Sequence, residues 1–194
     1  MEYSKRARLG LAVPLQTGFV QTLSFPPNSF AVITMFHVLE HVEDPSLVLS
    51  RLSRWLTPNG LVVVEVPNVE ATCQAPNHRF HSAHLYSFNT VTLEAIGKKA
   101  GLVPMDTKTS HDSANLTCVF RNINSTQGIA SLPDNYRRIV KILGLHRTLS
   151  HYLGPTPYLR VVNRLQAYLA NRVSIIGCKT ATHVLDRLIS KNRE

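Results

Sequence analysis

Residues 30–68 read FAVITMFHVLEHVEDPSLVLSRLSRWLTPNGLVVVEVPN, two short apolar runs around one amphipathic segment. Residues 31–35 (AVITM) and 61–66 (LVVVEV) are rich in β-branched side chains. Their length and lack of alternation predict strands buried on both faces of a parallel sheet. Between them Pro45 opens a predicted helix with Leu47, Leu49, Leu52, Trp55 and Leu56 as its apolar stripe. Pro58-Asn59-Gly60 is a turn signal that ends it. Strand, helix and strand make a right-handed βαβ unit. Ligands of such a sheet bind at the carboxyl ends of its strands. Those ends carry Phe36-His37 with Glu40-His41, and Pro67-Asn68.

The chain has 194 residues and 44% hydrophobic content, enough for one domain with a real core and an appendage. Three widely spaced cysteines, Cys73, Cys118 and Cys178, argue for a reducing compartment, and the cytoplasm is the expected location. No apolar run is long enough to span a bilayer. The net charge of +9 is uneven: residues 1–121 hold ten Lys/Arg against nine Asp/Glu, and residues 122–194 hold eleven against three. A basic tail of this kind meets an anionic membrane surface, nucleic acid or an acidic substrate, or forms a solvated face on a helical cap. The sequence reading favours the solvated face, expects no nucleic-acid partner, and keeps peripheral membrane contact as its alternative.

Outside the central unit, residues 3–9 predict a short helix, residues 11–13 a strand, and residues 20–23 an extended piece or turn. Residues 69–89 have no clear period and hold His78, His81 and His84. A loop that long inside a domain is usually functional or disordered. Asn89 or Thr90 caps a predicted helix that buries Val91, Leu93, Ile96 and Ala100 and ends at Gly101. Residues 103–109 and 115–121, joined by His111-Asp112-Ser113, predict an antiparallel hairpin. Residues 124–128 read as a linker. Three basic helices follow: one on Tyr136, Ile139, Val140 and Leu143 closed by Gly144, one on Tyr158, Val161, Val162, Leu165 and Leu169, and one on Val184, Leu185, Leu188 and Ile189. Their apolar positions are expected to pack on the domain.

Taken together, these residues resemble class I S-adenosylmethionine-dependent methyltransferases. The similarity is to the broad bacterial group with a Glu40-His41-Val42-x-Asp44-Pro45 segment after the family's fourth strand. Phe80, His84, Leu85, Tyr86, Ser87 and Phe88 before a helix, then Thr90, Leu93, Gly101 and Leu102, match in order. The resemblance covers roughly residues 2–121 and implies an α/β, Rossmann-like doubly wound sheet with a C-terminal helical appendage. The expected organisation is a partial methyltransferase domain over 1–122 and a basic helical region over 123–194.

The departures carry their own expectation. The family's glycine-rich cofactor loop is not found in these 194 residues. Glu2 aligns with the acidic residue that holds the ribose, so the chain is expected to begin where the family's second strand ends, with the first strand missing. Phe19 stands where an acidic residue usually meets the adenine, leaving that contact to the backbone. The resemblance implies cofactor contacts from Glu2, Phe19, Val20, Met35, Phe36 and His37.

His37, Glu40 and His41 stand at i, i+3 and i+4, a spacing that shares one helical face. They are candidates for a divalent metal site. Glu40 and His41 are equally candidates for acid–base work, or for bracing the strand–helix corner. His84 resembles the substrate base of sugar C-methyltransferases, and the alternative is a surface histidine. Asn68 is a candidate donor to substrate or a turn residue. The resulting expectation is S-adenosylmethionine-dependent methylation of a small-molecule acceptor, impaired by loss of the cofactor loop. The alternative is a non-catalytic remnant or binding module whose exposed strand edge takes a partner.

Overall fold

The computed structural model describes residues 16–123, 128 and 132–155, with 157–159, 161, 162, 165, 166, 168 and 169 beyond them. The expected helix at 3–9, the strand at 11–13, Glu2, most of the linker and the last helix lie outside the described residues.

Four strands form one mixed sheet in the order β1-β2-β4-β3: β1 Phe30–Phe36, β2 Leu56–Pro67, β3 Leu102–Thr109 and β4 Asn115–Asn122. β1 runs parallel to β2, with Met35 opposite Val64. β2 and β4 are antiparallel, as are β3 and β4, so the expected hairpin closes the sheet. Two helices, α1 Pro45–Trp55 and α2 Thr90–Lys99, follow the first strand and the long loop. The α/β, Rossmann-like class expected from the sequence is therefore the class observed.

The local causes are legible. Asp44 caps α1 by accepting the Leu47 N–H at 2.8 Å, and Pro45 occupies the first turn, where a missing N–H costs nothing. Asn89 caps α2 by accepting from Thr92 N–H, while Thr92 Oγ1 accepts the Asn89 N–H, a reciprocal box. Gly101, at φ 80°, ends it in the left-handed region. Met35, Val62, Val64, Val66, Leu116, Cys118 and Phe120 make one sheet face, and Leu49, Leu52 and Leu93 of the two helices cover it. Each fully buried leucine contributes roughly 1.5–3 kcal/mol.

Several expectations change. β1 is not buried on both faces, since Val32 and Phe36 are more than half exposed. β2 alternates buried and half-buried residues instead of being uniformly enclosed. Among the described residues, helices cover only one face of the sheet. Leu47 does not join the α1 stripe and is exposed; Val48 replaces it, because Leu47 sits about 200° from Leu49 on the helix. Residues 58–60 do not separate helix from strand. They belong to β2 as an irregular stretch, in which Phe30 pairs Leu56 but Val32 pairs Leu61, with Asn59 at φ 62°. Val91 and Ile96 of α2 are only half-buried, and Gly97 takes their place: a Cβ there would lie 2.2 Å from Phe120 Cε1.

The C-terminal segment brings α3 Pro133–Leu145 and α4 Thr148–Leu153. Gly144 lies inside α3 and does not end it. Of the apolar positions expected to pack on the domain, Ile139 and Leu143 are half-buried, while Tyr136, Val140 and every described apolar position from Tyr158 to Leu169 are exposed. Polar contacts also hold α3. Arg138 donates to Glu70 Oε2 at 2.7 Å, the Asn89 amide donates to Asn135 Oδ1 at 2.6 Å, and Arg79 donates to His146 Nδ1.

Candidate functional site

The carboxyl ends of β1 and β2 meet a folded-over loop. β1 stops at Phe36, and His37 takes a left-handed backbone, φ 52°, a conformation uncommon for a residue with a Cβ. Its N–H is held by Glu65 O at 2.9 Å. A single 3₁₀ turn, Leu39–His41, follows and buries Glu40 to 1% exposure.

Residues 69–88 close on themselves, with Val69 N–H on Phe88 O at 2.8 Å. The loop then clamps onto the turn. The N–H groups of Leu85 and Tyr86 both donate to Glu40 O, at 2.8 and 3.2 Å, and the Tyr86 hydroxyl donates to Glu43 O at 2.9 Å. This seats His84 beside His41, with ring centroids 4.8 Å apart and edge to face. The His81 ring also lies against His84, with centroids 5.0 Å apart and the planes tilted by 39°.

Glu40 is the centre of this cluster. Neither carboxylate oxygen has a hydrogen-bond partner. Oε1 lies 3.4 Å from His37 Nδ1 and 3.8 Å from His41 Nε2. The Ala83 carbonyl, 2.9 Å away, accepts the His41 Nδ1–H. That bond leaves the Nε2 lone pair of a neutral His41 facing the carboxylate. The buried carboxylate and the exposed imidazole then face each other as two acceptors 3.8 Å apart, an arrangement relieved by a cation between them. Ligand atoms of Glu40, His41 and His84 all lie within 4.8 Å of one another. Burial lowers the His84 pKa below the ordinary histidine value, opposed by the nearby Glu40 charge and reinforced by His41, His81 and His37.

The grouping differs from the sequence expectation. His37, Glu40 and His41 were expected on one helical face as a metal trio. The chain makes only a single 3₁₀ turn there, and His37 bridges two carboxylates: its Nδ1 lies 3.4 Å from Glu40 Oε1 and its Nε2 3.2 Å from Glu65 Oε1. His84 joins Glu40 and His41 from the loop. Glu65 escaped the sequence reading, as did its supports Thr117, whose hydroxyl donates to Oε2 at 2.9 Å, and Asn115. The signal was present, since Glu65 is the one charged residue in the apolar run 61–66. Asn68 is not free to meet a substrate: its amide donates to Ser113 O at 3.0 Å and its Oδ1 accepts the Glu70 N–H. His78 joins none of these contacts.

Of the candidate cofactor residues, Val20, Met35 and Phe36 line one apolar groove of about 390 Å³ beside β1, with Val32, Val38 and Trp55. Phe19 stands apart from its lining, and its carbonyl is taken by Thr22 and Leu23 N–H groups at 2.9 and 3.1 Å. Arg51 of α1 donates to the Gln21 carbonyl and fixes this turn at the groove's rim. Cys118, its thiol pushed up to about 11 by burial, is an inert core residue.

Comparisons with known proteins agree with this fold. A methyltransferase of Schizosaccharomyces pombe, itself uncharacterised, is 30% identical over 84 residues, which is 43% of this chain. The chain spans 30% of that relative's length. A solved S-adenosylmethionine-dependent methyltransferase from Thermotoga maritima superposes with a TM-score of 0.50 at 19% identity, covering 62% of this chain and 69% of its own. A chain of the Haloferax volcanii complex between the Trm112 methyltransferase activator and its candidate methyltransferase gives 0.53 at 15% identity, over 62% and 67%. The family described as a methyltransferase domain matches residues 3–106, more than half of the sequence, and the chain therefore belongs to that methyltransferase family.

Proposed function

We propose that this chain carries the acceptor half of an S-adenosylmethionine-dependent methyltransferase acting on a small-molecule nucleophile. The observation that carries the reading is the meeting of Glu40, His41 and His84 at the carboxyl end of a parallel strand. In sheets of this class ligands bind there. Methyl transfer is an in-line displacement: the acceptor atom bonds to the methyl carbon as the carbon–sulfur bond breaks. The acceptor's proton must leave for a base. His84, whose pKa burial lowers, accepts it at a ring nitrogen, and the nearby Glu40 charge favours the imidazolium that results. Val20, Met35 and Phe36 offer the apolar wall against which a cofactor would lie.

The donor set also fits a divalent cation. One buried carboxylate without a partner and two imidazoles suit borderline metals. Glu40, His41 and His84 would hold it, and bound there it would lower the pKa of an acceptor hydroxyl.

A second reading rests on a different observation. Among the described residues β1 pairs only with β2, so its outer edge and the groove beside it are open. A non-catalytic module that takes a partner strand on that edge accounts for this.

The test is transfer of labelled methyl from S-adenosylmethionine to a panel of hydroxyl and amine acceptors, with and without divalent metal. Turnover that drops at least about tenfold in both His84→Ala and His41→Ala supports the enzyme reading. Equal turnover in wild type and both variants removes these residues from the chemistry.

A further inference from the structure

The C-terminal segment turns much of its apolar surface outward. Asn135 and Arg138 of α3 and His146 just past its end bond to Asn89, Glu70 and Arg79, with half-buried Ile139, Ile142 and Leu143 beside them. They recur at three- and four-residue spacing and so share one side of the helix. Tyr136 and Val140 lie on its outer half, exposed, beside exposed Arg137 and Lys141. On α4 the pattern repeats. His151 is the buried side chain; Leu149 and Leu153 lie on the opposite side, 73% and 79% exposed, and Tyr152, 51% exposed, stands between with its ring edge-on to His151. Beyond α4, Tyr158, Val161, Val162, Leu165 and Leu169 keep helical spacing and are all exposed.

Water does not favour such a surface: contiguous apolar patches on soluble proteins mark contact sites. The charge around the patch identifies the partner class. Among the described residues of the segment, Arg137, Arg138, Lys141 and Arg147 stand against Asp134 alone. Two copies of so basic a surface repel each other, whereas an anionic surface attracts both. Tyrosine, leucine and cations on one face is also the composition of helices that lie in the plane of a bilayer interface. No helix among the described residues is long and apolar enough to cross a membrane, so the contact is peripheral.

We propose that the outer face of this segment, centred on Leu149, Tyr152 and Leu153 and flanked by Arg137 and Lys141, docks on an anionic lipid bilayer. The docked face is the one turned away from Glu70, Asn89 and Arg79, so the polar contacts to the domain persist on the membrane. The proposal is independent of the catalytic reading.

The test is co-sedimentation of the full 194-residue chain with vesicles of phosphatidylcholine alone and of phosphatidylcholine mixed with phosphatidylglycerol. Binding to the mixed vesicles only, falling as salt is raised, is the expected result. Leu149→Ser with Leu153→Ser should lower the partition coefficient about tenfold or more. Arg137→Glu with Lys141→Glu should do the same by an independent route, and circular dichroism checks that both pairs stay folded. No binding to either vesicle at low salt overturns the proposal, as does equal binding to both. Concentration-dependent self-association that Leu149→Ser abolishes assigns the face to a second copy and also overturns it.

Discussion

The imidazole of His84 stands edge-on to that of His41 with ring centroids 4.8 Å apart, although a helix, a strand and most of a long loop separate them in the chain. The loop is anchored by main-chain bonds from Leu85 and Tyr86 to the Glu40 carbonyl. The pair therefore depends on the backbone of one residue whose side chain completes the cluster.

This geometry fixes a pH response. Burial lowers the His84 pKa, and the Glu40 charge raises it. The acidic limb of any activity that needs neutral His84, where activity rises with pH, should lie below the ordinary value near 6.5. Glu40→Gln removes the raising contribution, so the His84 midpoint should move to still lower pH. Proton NMR titration of the ring in both proteins measures this; an upward movement in Glu40→Gln would contradict it.

A second response belongs to the tail. His146 accepts from Arg79 at Nδ1 and pairs with His151 through Nε2 at 3.0 Å. Burial lowers its pKa, and Arg79 and His151 add to the lowering. A depressed histidine pKa means the unfolded chain binds the proton more readily. The stabilising contribution is complete above the unfolded value near 6.5 and declines as pH falls toward the folded value. Docking of α3 should loosen over that window, and His146→Gln should flatten the change. Hydrogen exchange across residues 133–145 at pH 7.5 and 5.5 would read it out, and equal protection at both values would sink the idea.

Gly97→Ala should destabilise the domain by about 1–3 kcal/mol, through a methyl driven into the Phe120 ring. Phe120→Leu in the same chain should recover part of that loss. Urea unfolding with an unchanged midpoint in Gly97→Ala would show that the ring moves aside freely.

Asn122 ties α1 to the sheet: its amide donates to Ser53 O at 2.9 Å, and its Oδ1 accepts the Ser53 hydroxyl at 2.9 Å. Asn122→Ala should cost about 1–3 kcal/mol, because it strands buried polar groups. An unaltered thermal midpoint would refute the assignment.

The 194-residue chain should bind S-adenosylmethionine weakly. These residues supply no glycine-rich loop, and each charge-assisted hydrogen bond not made is worth about 1.5–3 kcal/mol, so two lost bonds weaken binding roughly 100-fold. Calorimetry that detects micromolar affinity for this chain would overturn that expectation.

The fold was readable from residues 30–68 and 89–122, because burial writes itself into local patterns. The apolar runs of β1 and β2, the Asp44 and Asn89 caps and Gly101 are each settled within a few neighbouring residues. The site was only half readable. Glu40, His41 and His84 could be named one by one, but their grouping could not, since a main-chain clamp between residues 85–86 and Glu40 decides which histidine joins the carboxylate. His37 reaches Glu40, as its spacing suggests, but also Glu65, which was hidden inside a strand pattern. The direction of the tail's apolar face was likewise beyond the sequence. Periodicity shows that α3 and α4 have two sides, but the partners offered by Glu70, Arg79 and Asn89 decide which side turns inward. Local patterns fix what each segment becomes; long-range contacts, which no single window contains, fix what it faces.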